Sequence, residues 1–267
     1  MKLGFVGCGT IASAMVTGLC STRSAGPITL SPRNAQVAAG LASRFADVQI
    51  APTNQAVLDA SEVVVLAVRP QIASGVLSEL RFRPDHHVVS LIAALPLECI
   101  RSRTTPAALV TRAVPLPSVA LRQGPTAIHP PTQLIKALFE ALGTAIELDD
   151  ESEFDAFAAA TAIMASYFTF ASTVSGWMTR NGVAPDNART YVGEMLRGMA
   201  ATSLAAPDRS FNALAEEHQT RGGLNEQVLQ LTTRDGSFVA LDRALDTVLK
   251  RLQAGASEWS SSSAAKR

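Results

Sequence analysis

Short apolar runs alternate with stretches of helical periodicity over the first 150 residues. The run "KLGFVG" reads as a buried strand, and "TIASAMVTGLC" follows it with Ile11, Met15, Val16 and Leu19 at helical spacing. Further strand signals recur at "PITLSPRN", "VQIAP", "EVVVLAV", "HVVSLIA", "ALVTRAV", "PTAIHP" and "AIELDD", with helical or turn segments between the earlier ones. This alternation predicts an α/β domain over residues 1–150, a mostly parallel sheet with right-handed crossovers. Its ligand belongs off the carboxyl ends of the strands, where the strand order reverses. Segments that follow strands, such as Arg69-Pro70-Gln71, then face that ligand.

After Asp150 the strand signals stop. "ESEFDAFAAATAIMASYFTFASTVSGWMTRN" reads as one long helix ended near Gly182, and another begins behind Pro185 and Asp186. The pattern predicts a helical domain over 151–254 and a disordered tail over 255–267, where "GASEWSSSSAAKR" is poor in apolar residues. Ala156 to Met178 carries no formal charge and by length alone could span a bilayer. Thr161, Ser166, Thr169, Ser172, Thr173 and Ser175 lower its hydropathy, and no basic flank orients it. A helix buried all round, in a core or between subunits, is the expectation.

Composition narrows the classes. The 267 residues include 47% hydrophobic and 17% charged, enough for two cores, and 23 basic residues balance 23 acidic ones. No block of either sign suggests a nucleic-acid or anionic membrane partner, so small molecules or proteins are expected. Cys8, Cys20 and Cys99 have no disulfide or metal-ligand spacing, which fits thiols in a reducing, cytoplasmic compartment and no metal site. The uncharged stretch from Leu3 to Thr22 behind Lys2 could also be a secretory signal, but removing it would delete the first strand of a βαβ unit.

Between that strand and its helix lies Gly7-Cys8-Gly9-Thr10-Ile11-Ala12, the G-x-G-x-x-[GA] pattern. Gly7 permits the tight turn, Gly9 lets a pyrophosphate approach the backbone, and Ala12 lets the helix pack on the strand. The helix N-terminus then offers free N–H groups and partial positive charge. At the end of the second strand, where an NAD-binding fold usually carries a carboxylate, stand Ser31, Arg33 and Asn34, a set suited to the 2′-phosphate of NADPH. Read structurally, Arg33 is a solvated strand-end residue and Asn34 a helix cap.

These segments resemble the pyrroline-5-carboxylate reductase family over nearly the whole chain. "GFVGCGTIASAM", "LSPRN", "PTN" ending at Asn54 and "VVVLAVRPQ" match its cofactor segments. "VVSLIAALPL", "TRAVPLPSVALRQGPTAI" and "HQTRGGLNEQ" fall where the family has its fifth strand, its strand-six loop and its substrate loop. The resemblance implies a Rossmann domain followed by a helical dimerisation domain, with the active site between one subunit's cofactor and the partner's helices. It implies cofactor contacts at Gly7, Gly9, Thr10, Ile11, Ala12, Ser31, Arg33, Asn34, Asn54, Ala67, Val68, Arg69 and Pro70. Substrate contacts follow at Thr220, Arg221, Gly222, Gly223, Leu224 and Ser166. The chain departs from the family in its substrate half. Arg69 replaces a usual lysine, and Leu116 alone stands between the prolines of "VPLP". Met164-Ala165-Ser166-Tyr167-Phe168 replaces a Ser-Gly-rich turn, and Leu224-Asn225 replaces a threonine pair.

Hydride transfer to C=N needs a dry cavity and an oriented, protonated nitrogen. Asn225 offers an amide for orientation, and the Gly222, Gly223 and Leu224 N–H groups offer a carboxylate cradle. Arg221 could bond an acidic substrate or simply be exposed at the helix start. His218 is the candidate proton donor, with a surface or structural role as its alternative, and His129 is a weaker candidate of the same kind. His86 and His87 read as loop residues. The expected function is an NADPH-dependent reductase of a cyclic imine or iminium acid, pyrroline-5-carboxylate or a relative of it, working as a homodimer or higher oligomer. Two alternatives stay open. One is a C=O-reducing hydroxyacid-type dehydrogenase, against which the absence of lysine between Lys136 and Lys250 counts. The other is a non-catalytic NADP-binding regulatory protein whose pocket is filled by Tyr167 and Phe168.

Overall fold

The structure, a computed structural model, describes residues 1–22, 26–93 and 95–264, the last ten by their backbone alone. Its first half winds β1 (Leu3–Val6), α1 (Thr10–Cys20), β2 (Ile28–Leu30), α2 (Ala35–Arg44), β3 (Val48–Ile50) and α3 (Asn54–Asp59). The winding continues with β4 (Val63–Leu66), α4 (Pro70–Ser78), β5 (His87–Ser90), α5 (Leu97–Thr104) and β6 (Leu109–Pro115). A 3₁₀ turn (Pro117–Leu121), β7 (Pro125–His129), α6 (Gln133–Glu140) and β8 (Thr144–Glu147) complete the sheet. All seven strand signals after the first are thus strands.

The strands form one sheet in the order β3-β2-β1-β4-β5-β6-β7-β8, parallel except where β7 runs against β6. Both faces are covered, which is why the strands read as continuous apolar runs. Val63 and Val65 point into a core with Phe5, Met15 and Leu19, whereas Val64 and Leu66 point into a second core with Leu77 and Val88. Phe5 is fully buried, and truncating it to Ala would cost about 3–5 kcal/mol. The order reverses between β1 and β4, which run side by side from Leu3↔Val63 to Val6↔Leu66 and open a crevice beyond their carboxyl ends.

The helical half comprises α7 (Phe154–Ala160), α8 (Met164–Arg180), α9 (Pro185–Ala205), α10 (Phe211–Glu217), α11 (Leu224–Arg234) and α12 (Ser237–Ala264). The chain divides into two compact units, residues 1–159 with the chain from Leu249 onward, and residues 160–248. Two expectations change. The 151–181 helix is interrupted by a 3₁₀ turn at Thr161–Ile163, where two β-branched residues flank Ala162 and the tighter winding marks the boundary between units. Phe154, 1% exposed, packs with Ala127 and Leu148, so the compact first unit runs on past Asp150 into α7. The tail is helical to Ala264, since no proline follows Gly255 and each residue added to a formed helix gains a hydrogen bond; residues 265–267 lie outside those described.

Candidate active site

The cofactor half of the site lies beyond the carboxyl ends of β1, β2, β3 and β4. Gly7 ends β1 with φ +96°, and a Cβ there would lie 2.6 Å from the Ala67 carbonyl oxygen, so only glycine lets the β1 and β4 loops pass this closely. The Ala67 N–H donates to the Val6 carbonyl at 2.8 Å and fixes the crossing. Gly9 is the residue before α1 and has no side-chain cap, and a Cβ placed on it would meet nothing within 4 Å. An open space therefore stands over uncapped N–H groups at the start of an 11-residue helix, the arrangement a pyrophosphate needs. Thr10 is exposed, Ile11 half-buried and Ala12 fully buried against the sheet.

The residues after β2 divide their work differently from the expectation. Ser31 is fully buried, and its hydroxyl oxygen accepts the Gly7 N–H at 2.9 Å, so it braces the glycine turn instead of facing outward. Asn34 sits in the left-handed region at φ 67°, and its side chain caps nothing: Nδ2 donates to the Cys8 carbonyl at 2.9 Å and ties β2 to the same turn. Arg33 is exposed between them. Asn54 opens α3 behind Thr53, whose hydroxyl accepts the Ala56 N–H at 3.1 Å. Val68 is half-buried, and Arg69 and Pro70 occupy the N-cap and first position of α4. Cys8 is buried and Cys20 half-buried, and burial raises both thiols above their ordinary range, away from reactive thiolate.

In the other unit, a cavity of about 450 Å³ opens between α9, α10 and the start of α11. Met199, Phe211 and Leu214 give it apolar walls, Thr202 and Ser203 add hydroxyls, and His218 and Asn225 both line it. The His218 Nδ1 lies 2.8 Å from the Leu214 carbonyl, which can only accept. Nδ1 therefore carries the proton and Nε2 is left for other partners. The Asn225 Nδ2 donates to the His218 carbonyl at 2.9 Å, leaving its Oδ1 as an acceptor.

The glycine loop between them is less open than a free cradle. Gly222, at φ +73°, donates its N–H to Glu226 Oε2 at 2.6 Å, and Gly223 donates to the Thr220 carbonyl at 2.6 Å. Two of the three expected cradle donors are thus occupied, one by the acid in the first turn of α11 and one by the loop's own backbone. Sequence reading missed Glu226, although an acid three residues after an N-cap position is the signal for a side chain that reaches back to the loop. Leu224 is 82% exposed, and Arg221 is exposed. Ser166 lies exposed on α8 and does not line the cavity of His218 and Asn225, whereas Tyr167 and Phe168 line a separate cleft between α8 and α9.

The remaining histidines are structural. His86 and His87 are both buried: His86 closes the turn from Arg83 and stays a loop residue as expected, whereas His87 is the first residue of β5, which corrects its reading as a loop residue. His129 holds the Leu148 carbonyl through Nδ1 at 2.9 Å and meets the Phe154 ring edge-on. Sequence reading also missed Glu151, whose Oε1 accepts the Leu97 N–H at 2.5 Å and the Arg112 guanidinium at 2.6 Å.

Residues 2–94 match the family model described as "NADP oxidoreductase coenzyme F420-dependent", and residues 151–254 match "Pyrroline-5-carboxylate reductase dimerisation". A curated pyrroline-5-carboxylate reductase of Pseudomonas aeruginosa is 26% identical over 263 residues, covering 94% of this chain and 95% of that protein. Among solved structures, a 1-pyrroline-5-carboxylate reductase of Streptococcus pyogenes superposes with TM-score 0.82 at 22% identity, covering 95% of this chain and 98% of the other. A Plasmodium falciparum pyrroline carboxylate reductase with NADP bound gives 0.81 at 16% identity, over 96% and 98% of the two chains.

Proposed function

Because the chain belongs to the pyrroline-5-carboxylate reductase family, we propose that it reduces the C=N bond of a cyclic imine acid with NADPH, taking pyrroline-5-carboxylate to proline or acting on a close relative of that ring. The observation that carries this reading furthest is the turn at Gly7 and Gly9, with its close crossing at Ala67 and the open space over Gly9 at the point of strand reversal. The matched relatives extend it to the substrate. We take the working form to be a homodimer in a reducing, cytoplasmic compartment, supported by the matched dimerisation region and the three free cysteines.

NADPH, when bound, supplies the hydride. The Gly9–Ala12 backbone would hold its pyrophosphate and Arg33 its 2′-phosphate, while Ser31 and Asn34 keep the turn in shape. Asn54 and the Ala67–Pro70 segment border the adenosine and nicotinamide sides. On the substrate side, Asn225 orients the ring through Oδ1. His218 presents Nε2, which accepts the N–H of an incoming iminium while Nδ1 keeps its proton on the Leu214 carbonyl; only the doubly protonated imidazolium could give a proton from Nε2 to an imine that arrives unprotonated. Thr220, Arg221 and Leu224 border that ring, with Ser166 on α8 as a further contact. NADPH and NADH oxidation followed over pyrroline-5-carboxylate, uncharged ring imines and 2-oxo acids tests the reading. Turnover of ring imines with NADPH preferred is the expected result; turnover of the 2-oxo acids alone, or of nothing, would sink it.

A further inference from the structure

Glu226 brings a carboxylate into the loop that the proposed function assigns to the substrate. Its Oε2 accepts the Gly222 N–H at 2.6 Å, inside the range of charge-assisted bonds. The Gly223 N–H is already committed to the Thr220 carbonyl. The adjoining cavity has walls of Met199, Phe211 and Leu214, hydroxyls at Thr202 and Ser203, and no lysine or arginine in its lining. A substrate carboxylate entering this loop meets an acceptor already on the Gly222 donor and a like charge beside it. The Arg221 side chain that borders the same ring is exposed, so solvent screens its attraction for that carboxylate. An uncharged ring imine meets neither obstacle, since its apolar body suits the cavity walls.

We propose that Glu226 is a specificity-determining residue: by holding the Gly222 N–H with its own carboxylate, it weakens the site's hold on the acid group of a cyclic imine acid and lets uncharged rings of the same size compete for the site. This rests on the reading that the Thr220–Leu224 loop meets the substrate. An N3 acid that merely stabilised α11 would leave substrate preference alone.

The test compares wild type, Glu226→Gln and Glu226→Ala on pyrroline-5-carboxylate and 1-pyrroline with saturating NADPH. Gln removes the charge but can still accept the Gly222 N–H, so it keeps the loop's geometry. Both variants are expected to raise the kcat/KM ratio of the carboxylated over the uncharged imine, by about tenfold in Glu226→Ala, the equivalent of one charge-assisted bond. A ratio unchanged in both variants while both imines are still reduced overturns this inference and leaves the proposed function standing. If wild type reduces neither imine, the proposed function fails instead. The inference is then read from calorimetric binding of L-proline to the NADP⁺-loaded protein, which needs no turnover: tighter binding in Glu226→Ala supports it, and equal or weaker binding overturns it.

Discussion

Arg33 stands exposed at the end of β2, flanked by two residues whose side chains are already spent on the glycine turn. Ser31 accepts from Gly7 and Asn34 donates to Cys8, so both are held on the turn, and of the three polar residues expected to select NADPH Arg33 alone brings a positive charge to a 2′-phosphate. Arg33→Ala should therefore weaken NADPH binding about ten- to a hundredfold, the worth of a charge-assisted bond, and leave NADH nearly unchanged. Fluorescence titration with both cofactors decides this, and equal loss for the two would remove Arg33 from the cofactor's discrimination. The sequence carried much of this half because Gly7 and Gly9 are defined by backbone needs that a local pattern records. It did not reveal that Ser31 and Asn34 also brace the turn, because a hydroxyl or an amide shows what it can bond, while the fold decides which of several nearby groups it meets. Glu226 escaped notice for the same reason, since an acid in a first helical turn looks like ordinary capping until its distance to Gly222 is known.

At the level of elements, strands were the most legible, since each interior strand is buried on both faces and must be apolar throughout. The entry to β5 is the exception, where two histidines lie buried among apolar neighbours. His86 Nδ1 accepts the Arg83 N–H at 3.0 Å, and Nε2 lies 3.1 Å from the Leu58 carbonyl. The Thr111 hydroxyl gives its proton to the Pro130 carbonyl at 3.0 Å, so His87 Nε2 must donate to it, and its Nδ1 is left without a partner. Burial holds both histidines below the ordinary value of 6.5, and the neighbouring Arg83 charge adds to this at His86. The unfolded chain takes up protons near pH 6.5 that the native chain resists, so stability is complete above that pH. It is lost as pH falls through and below it, by at most about 1.4 kcal/mol per pH unit for each ring. Melting temperature scanned from pH 8 to pH 5 should fall below about 6.5, and a flat profile would mean that the rings are solvated. The 3₁₀ break at Thr161–Ile163 was not legible, since a run of Ala, Thr and Ile continues the apolar pattern whether the winding is 3.6 or 3.0 residues per turn.

For the whole molecule, the unresolved demand is the surface of the helical half. Residues Glu151–Arg180 are long and apolar enough to cross a membrane by length and composition, and no residue of α8 is buried in its own chain. The expectation of a helix in its own core therefore fails, leaving a second copy or a bilayer to cover it. Phe168, Phe170 and Trp177 on α8 and Tyr191 on α9 are each more than half exposed, a patch of a kind monomeric soluble proteins rarely show. Burying an aromatic side chain of this size contributes about 1.5–3 kcal/mol, so these four together give about 6–12 kcal/mol. Association alone costs an estimated 4–15 kcal/mol, so the four aromatics are marginal by themselves. Met199, Val228 and Leu231, also exposed, must be covered as well, which points to the large apolar contact of an obligate dimer with interleaved helices. Light scattering at micromolar concentration without detergent is expected to return the mass of a dimer or a multiple of it. A stable monomer would contradict the prediction, and a protein that stays dispersed only in detergent would mean that the apolar stretch faces lipid. The serines and threonines along α8 favour the first outcome, because they lower its hydropathy, although Thr169, Thr173 and Thr179 each satisfy their hydroxyl on a carbonyl one turn back.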